Sequence, residues 1–80
     1  MEDKTILRDI EKLVNQEHEL LGKASQGGLD DEERAQLHAI EVHLDQCWDL
    51  LRQRRARREF GLNPDDAQTR NEGTVEHYLQ

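Results

Sequence analysis

Ala24-Ser25-Gln26-Gly27-Gly28-Leu29-Asp30-Asp31-Glu32-Glu33 decides how this chain folds. Paired glycines relieve the steric cost of a left-handed residue just past a helix end. Asp30 follows them with Glu33 three residues on, the spacing of a capping box. The acids that follow suit the positive end of a helix dipole. One helix therefore stops near Ser25, and another starts near Asp31. Upstream, helix 1 spans about residues 4–25, with Asp3 as its expected N-cap. Downstream, no Gly or Pro occurs between Asp31 and Phe60, and Gly61 and Asn63-Pro64 then end the pattern. Helix 2 spans about residues 31–60. The rise per residue makes the two helices ~32 Å and ~45 Å long. A link this short forces them antiparallel, which sets residue i opposite roughly 56 minus i.

Residues placed on a wheel at 100° per position show which faces are apolar. In helix 1, Ile6, Leu7, Ile10, Leu13, Val14, Leu20, Leu21 and Ala24 fill an arc roughly 140° wide. In helix 2, Leu37, Ile40, Leu44, Cys47, Trp48 and Leu51 form one stripe, while Ala35, Ala39, Val42 and Leu50 lie opposite. A lone hairpin can cover only one of these faces. A two-helix unit of this size also buries little against its chain entropy. Both points favour a homodimer, most simply a four-helix bundle, with Leu7, Ile10, Val14, Leu21, Leu37, Ile40, Leu44, Cys47 and Leu51 in its core. The alternative is a monomer whose second face is covered by its own tail.

Composition bounds the function. The 80 residues are 34% hydrophobic and 36% charged, with a mean hydropathy of -1.04. No stretch near ~20 apolar residues exists to span a membrane, and β-formers are too few for a sandwich. Net charge is -7, unfavourable for general binding to phosphate backbones. Residues 1–51 hold thirteen acids and five bases, and residues 61–80 hold four acids and one base. Between them, residues 52–60 hold five arginines against Glu59. A single cysteine excludes an internal disulfide framework. The first residues lack the features of a signal peptide, so the expectation is a cytoplasmic protein.

The run Arg52-Gln53-Arg54-Arg55-Ala56-Arg57-Arg58 is the sharpest local feature. Arginine binds carboxylates and phosphates in bidentate fashion. Arg52, Arg54, Arg55, Arg57 and Arg58 are therefore candidate partner-binding residues, for an acidic protein or, alternatively, a nucleic acid or nucleotide. On a helix they point almost all round, and no aromatic platform is interleaved with them. Internal neutralisation is the plainer reading, by the helix dipole, by Asp45 and Asp49, or by Asp65 and Asp66 across a dimer.

Glu17 falls inside the apolar arc of helix 1, where a carboxylate must be paired, hydrogen-bonded or neutral. The hairpin register brings Gln36, His38 and His43 near it, with His18 adjacent. Glu17, His18, His38 and His43 are thus expected to form a buried polar layer that fixes register. A metal site is the alternative, but the Glu-x-x-His motif of di-iron bundles is absent, so no metal or cofactor is assigned. Cys47 reads as a small apolar packing group and Trp48 as an anchor at the core margin. Gly27-Gly28 lacks the strand and the Lys-Ser/Thr of a phosphate loop. No nucleophile, base and oxyanion donor can be assembled, so no catalytic residue and no enzymatic activity are expected. Beyond the hairpin, 1–61, residues 62–80 form an acidic tail. Val75, Tyr78 and Leu79 have the spacing of a short docking turn at 75–79. Tyr78 and Leu79 would meet either a partner or the chain's own dimer.

The stretch from Glu41 to Glu59, with Leu44-Asp45-Gln46-Cys47-Trp48 leading into the arginine run, resembles a short actinobacterial family, domain of unknown function 2630. Ile6 to Glu19, with Glu17-His18, and the terminal Val75-Glu76-His77-Tyr78-Leu79-Gln80 extend the likeness over nearly the whole chain. The resemblance implies a small cytoplasmic protein and carries over no catalytic residue. The leading expectation is a non-enzymatic assembly or regulatory interaction module.

Overall fold

The structure, a computed structural model, describes residues 2–71. Two helices, α1 (Asp3–Gly27) and α2 (Asp31–Glu59), are followed by a single 3-10 turn, Pro64–Asp66. No strand occurs among the described residues. The chain is an antiparallel helical hairpin, as its sequence implies.

The turn follows the expected chemistry. The Glu33 N–H donates to Asp30 Oδ1 at 2.7 Å, and the Asp30 N–H donates to Glu33 Oε1 at 3.2 Å. That closes the capping box. α1 continues two residues past the predicted stop and ends at Gly28, whose φ of 86° and ψ of 176° suit glycine almost alone. At the far end of α2, the Gly61 N–H donates to the Arg58 carbonyl, and the Leu62 N–H donates to the Arg57 carbonyl at 2.7 Å. This is a Schellman ending, with Gly61 supplying the positive φ of 71°.

The N-terminus departs from expectation. Glu2 is the N-cap residue and makes no side-chain cap bond. Asp3 lies inside the helix, and its carboxylate turns to Arg54 and Arg58 of α2 instead. A carboxylate between two guanidiniums forms stronger, charge-assisted bonds than a cap does. These bonds confirm the register, since Asp3 meets Arg54 while Lys23 meets Glu33 at 3.3 Å across the turn.

The core of the hairpin is Ile6, Ile10 and Leu13 of α1 against Leu44, Cys47 and Leu50 of α2, with Val14, Ile40, Leu51 and Ala67 at its edge. Leu20 is buried nearer the turn. Of the nine residues expected in a dimer core, only Ile10, Leu44 and Cys47 are buried within one chain. Val14, Leu37, Ile40 and Leu51 are half-buried, and Leu7 and Leu21 are exposed. The difference is geometric: α2 packs against the middle of the wide α1 arc, which leaves one flank of that arc outside. Leu50, placed on the weaker face by sequence, is buried. Residues 62–71 fold back along α2 on its side of the hairpin.

That return is held by polar bonds. Gln53 Nε2 donates to the Gln68 carbonyl at 2.6 Å and to Asp49 Oδ2 at 2.9 Å. Gln46 Nε2 donates to the Arg70 carbonyl at 3.1 Å. Arg70 Nε lies 3.5 Å from Asp49 Oδ2. Asp49, 2% exposed, is thereby supplied with partners from its own helix and from the returning chain. The second face of α2 is thus partly covered by the chain itself, as the monomer alternative requires. Residues 75–79, the proposed docking turn with Tyr78 and Leu79, lie outside the described residues.

Candidate interaction face

The hairpin has two sides, and the returning chain closes part of one of them. On that side, Asp9, His43, Gln46 and Leu50 share a small cleft with Thr69. Nearer the turn, Gln16, Leu20, Lys23, Gln36, Ala39 and Ile40 line an open groove of about 430 Å³. The opposite side carries Leu7, Leu21 and Trp48, which are 49%, 47% and 44% exposed. There Leu7, Trp48 and Leu51 floor a groove of about 410 Å³, rimmed by Asp3, Arg52, Arg55 and Arg58. Phe60 and Leu62 are also exposed, beyond the end of α2, but Leu7, Leu21 and Trp48 gather on one side and present a contact surface there.

The arginine run divides in two. Arg54 is buried. Its Nε donates to Asp3 Oδ1 at 2.5 Å, and its Nη1 donates to Asp65 Oδ1 at 3.0 Å. Arg58 Nη2 donates to Asp3 Oδ2 at 2.7 Å. Arg54 therefore ties the start of α1, the end of α2 and the returning chain together. It does not belong to a docking surface. Its position could be read from spacing: it falls seven residues after Cys47 and so continues the buried stripe. Asp65 neutralises the band within one chain, so the expected cover from a second chain is unnecessary at this residue. Bonds from Arg58 and then Arg54 hold the Asp3 carboxyl down at about 2, against an ordinary 3.8. Asp65 is likewise lowered by its bond from Arg54. Arg52 is half-buried, Arg55 is exposed and Arg57 is half-buried. Arg52 also acts on Asp45, where it offsets the upward push of burial on that carboxyl.

The polar layer is not assembled inside the hairpin. Glu17 is half-buried, and His18, His38 and His43 are exposed. The cause is rotational: at 100° per residue, His18 and His38 turn well away from the buried side of their helices. Among the described residues, no three His, Cys, Asp or Glu side chains converge as a metal-binding group would. Cys47 is a buried thiol, pushed up first by burial and then by the charge of Asp9.

The family model described as "Protein of unknown function (DUF2630)" matches residues 2–80. The chain belongs to the DUF2630 family. Similar proteins include uncharacterised proteins of Mycobacterium bovis and of two Mycobacterium tuberculosis strains. Each is 47% identical to this DUF2630 chain over 77 residues, covering 95% of the chain and 88% of the relative. No solved structure matches it. No helix among its described residues is long and apolar enough to cross a membrane.

Proposed function

We propose that this protein is a non-enzymatic, cytoplasmic assembly module that works by burying the open side of its hairpin against another chain, most simply a second copy of itself. One observation carries this reading. Leu7, Leu21 and Trp48 stand exposed on one side, while the opposite side is partly closed by residues 62–71. The arginine rim adds charge selectivity to that surface, because Arg52 and Arg55 border its apolar floor beside the Asp3–Arg58 pair. The nucleic-acid alternative has a weaker basis. Burial of Arg54 and the bonds from Arg58 to Asp3 withdraw two of the five arginines from a phosphate-binding role.

Light scattering on the full chain tests the reading. At tens of micromolar the mass should be twice the chain's 9.4 kDa, and Trp48→Glu or Leu7→Glu should return it to the single-chain value with helicity retained. A single-chain mass for the unaltered protein, or a dimer indifferent to both substitutions, sinks it.

A further inference from the structure

Beyond Arg70 the sequence changes from polar to apolar. Asn71-Glu72-Gly73-Thr74 is followed by Val75, Tyr78 and Leu79 at the spacing of one helical turn. The side of α2 beneath the returning chain makes the same change. Gln53, Asp49 and Gln46 hold residues 68–70 by polar bonds. Val42 lies seven residues before Asp49, and Ala39 seven before Gln46, so both continue that side of the helix towards the turn. Val42 is half-buried and Ala39 is exposed.

Direction and reach agree. Gln68 lies against Gln53 and Arg70 against Gln46, so the returning chain travels towards the turn of the hairpin. That heading leads into the turn-end groove, whose apolar lining is Leu20, Ala39 and Ile40. On α1, Gln16 and Lys23 follow Asp9 at intervals of seven, which puts this groove on the side where Asp9 and Thr69 share the small cleft. Ala39 is about 10 Å beyond Gln46 along α2, and the chain from Arg70 to Val75 spans up to about 16 Å when extended. Val75 therefore reaches the groove, with Tyr78 and Leu79 still to follow.

From the shared heading, the reach and the matched change from polar to apolar, we infer that residues 75–79 seat in the turn-end groove of their own chain. Val75, Tyr78 and Leu79 then pack against Leu20, Ala39 and Ile40. The returning chain closes its side of the hairpin from the Arg54 junction to the turn, and the small-residue face of α2 gains its cover. This goes beyond the assembly reading and does not rest on it, because it concerns the other side of the hairpin.

Paramagnetic relaxation on the full chain tests the seat. A nitroxide is placed at Gln80→Cys in a Cys47→Ala background. The labelled, isotope-enriched chain is diluted into excess ordinary chain, so that only contacts within one chain register. The amides of Lys23, Gln36 and Ala39 should lose intensity several-fold, whereas that of Arg58, about 28 Å from Ala39 along α2, should keep it. Leu79→Asp and, separately, Ala39→Arg should restore the Lys23 and Gln36 amides with helicity retained. Groove amides at full intensity in the labelled chain, or broadening that survives both substitutions, would overturn the inference. Broadening seen only when label and isotope sit on different chains also overturns it, since a second copy's tail then fills the groove. Light scattering on the same samples keeps the two readings apart. A single-chain mass with broadened groove amides removes the assembly and supports the seated tail.

Discussion

Arg54 shows how one side chain can change meaning between sequence and structure. Read along the chain, it is one of five arginines in a basic band. Folded, it is 7% exposed and bonded to two carboxylates. Bonds from Arg58 and then Arg54 lower Asp3 to about 2, and the bond from Arg54 lowers Asp65. A carboxyl whose folded value lies below its unfolded value stabilises the fold while it is charged in both states. That contribution is complete above the ordinary 3.8 and is lost as pH falls through it towards 2. At fixed protein concentration, the urea midpoint should therefore drop between pH 5 and about 2.5. Asp3→Asn should start lower at neutral pH and drop less on acidification. An equal acid loss in both proteins would remove Asp3 from the account. The stripe position of Arg54 was legible in the sequence, but its partners were not. Asp3 and Asp65 lie 51 and 11 residues away, beyond the reach of local pattern.

Helix ends follow local chemistry, so they were the most readable parts. Asp30 and Glu33 form the box that their spacing implies. The glycines at the two helix ends differ in a measurable way. Gly61 lies in the ordinary left-handed region, where a side chain costs about 1 kcal/mol. Gly28 combines positive φ with an extended ψ of 176°, a region that costs a non-glycine residue up to about 3 kcal/mol. A Cβ at either site would meet nothing within 4 Å, so the cost is backbone conformation alone. Gly28→Ala should destabilise more than Gly61→Ala in equilibrium unfolding. Equal losses would show that the two turns do not differ as described. The start of α1 was misread for a related reason. Asp3 has the composition of a cap, and only the approach of α2 gives its carboxylate a better use.

Across the whole molecule, the hairpin and its register were legible because short links and apolar periodicity leave few alternatives. The division of the apolar surface was not. The wheel shows a wide arc on α1 but cannot say which part of it α2 occupies and which part, with Leu7 and Leu21, stays exposed within one chain. The fold-back of residues 62–71 was equally hidden, since Gln46, Gln53 and Asp49 hold it with polar groups that no hydrophobic pattern marks. The Arg54 junction has a kinetic consequence. Contacts near the turn, such as the Asp30–Glu33 box, close small loops, whereas Arg54 with Asp3 closes nearly the whole hairpin. Loop-closure entropy favours zipping from the turn towards the termini. The junction is therefore expected to form after the folding barrier has been crossed. Replacing Arg54 with Met should speed unfolding and leave the refolding arm of a chevron nearly unchanged at fixed protein concentration. A refolding rate that falls in step with stability would place the junction in the folding nucleus. On the expected outcome, the last bonds to close are the first to open, and the lifetime of the folded chain is governed at the end of the hairpin farthest from its turn.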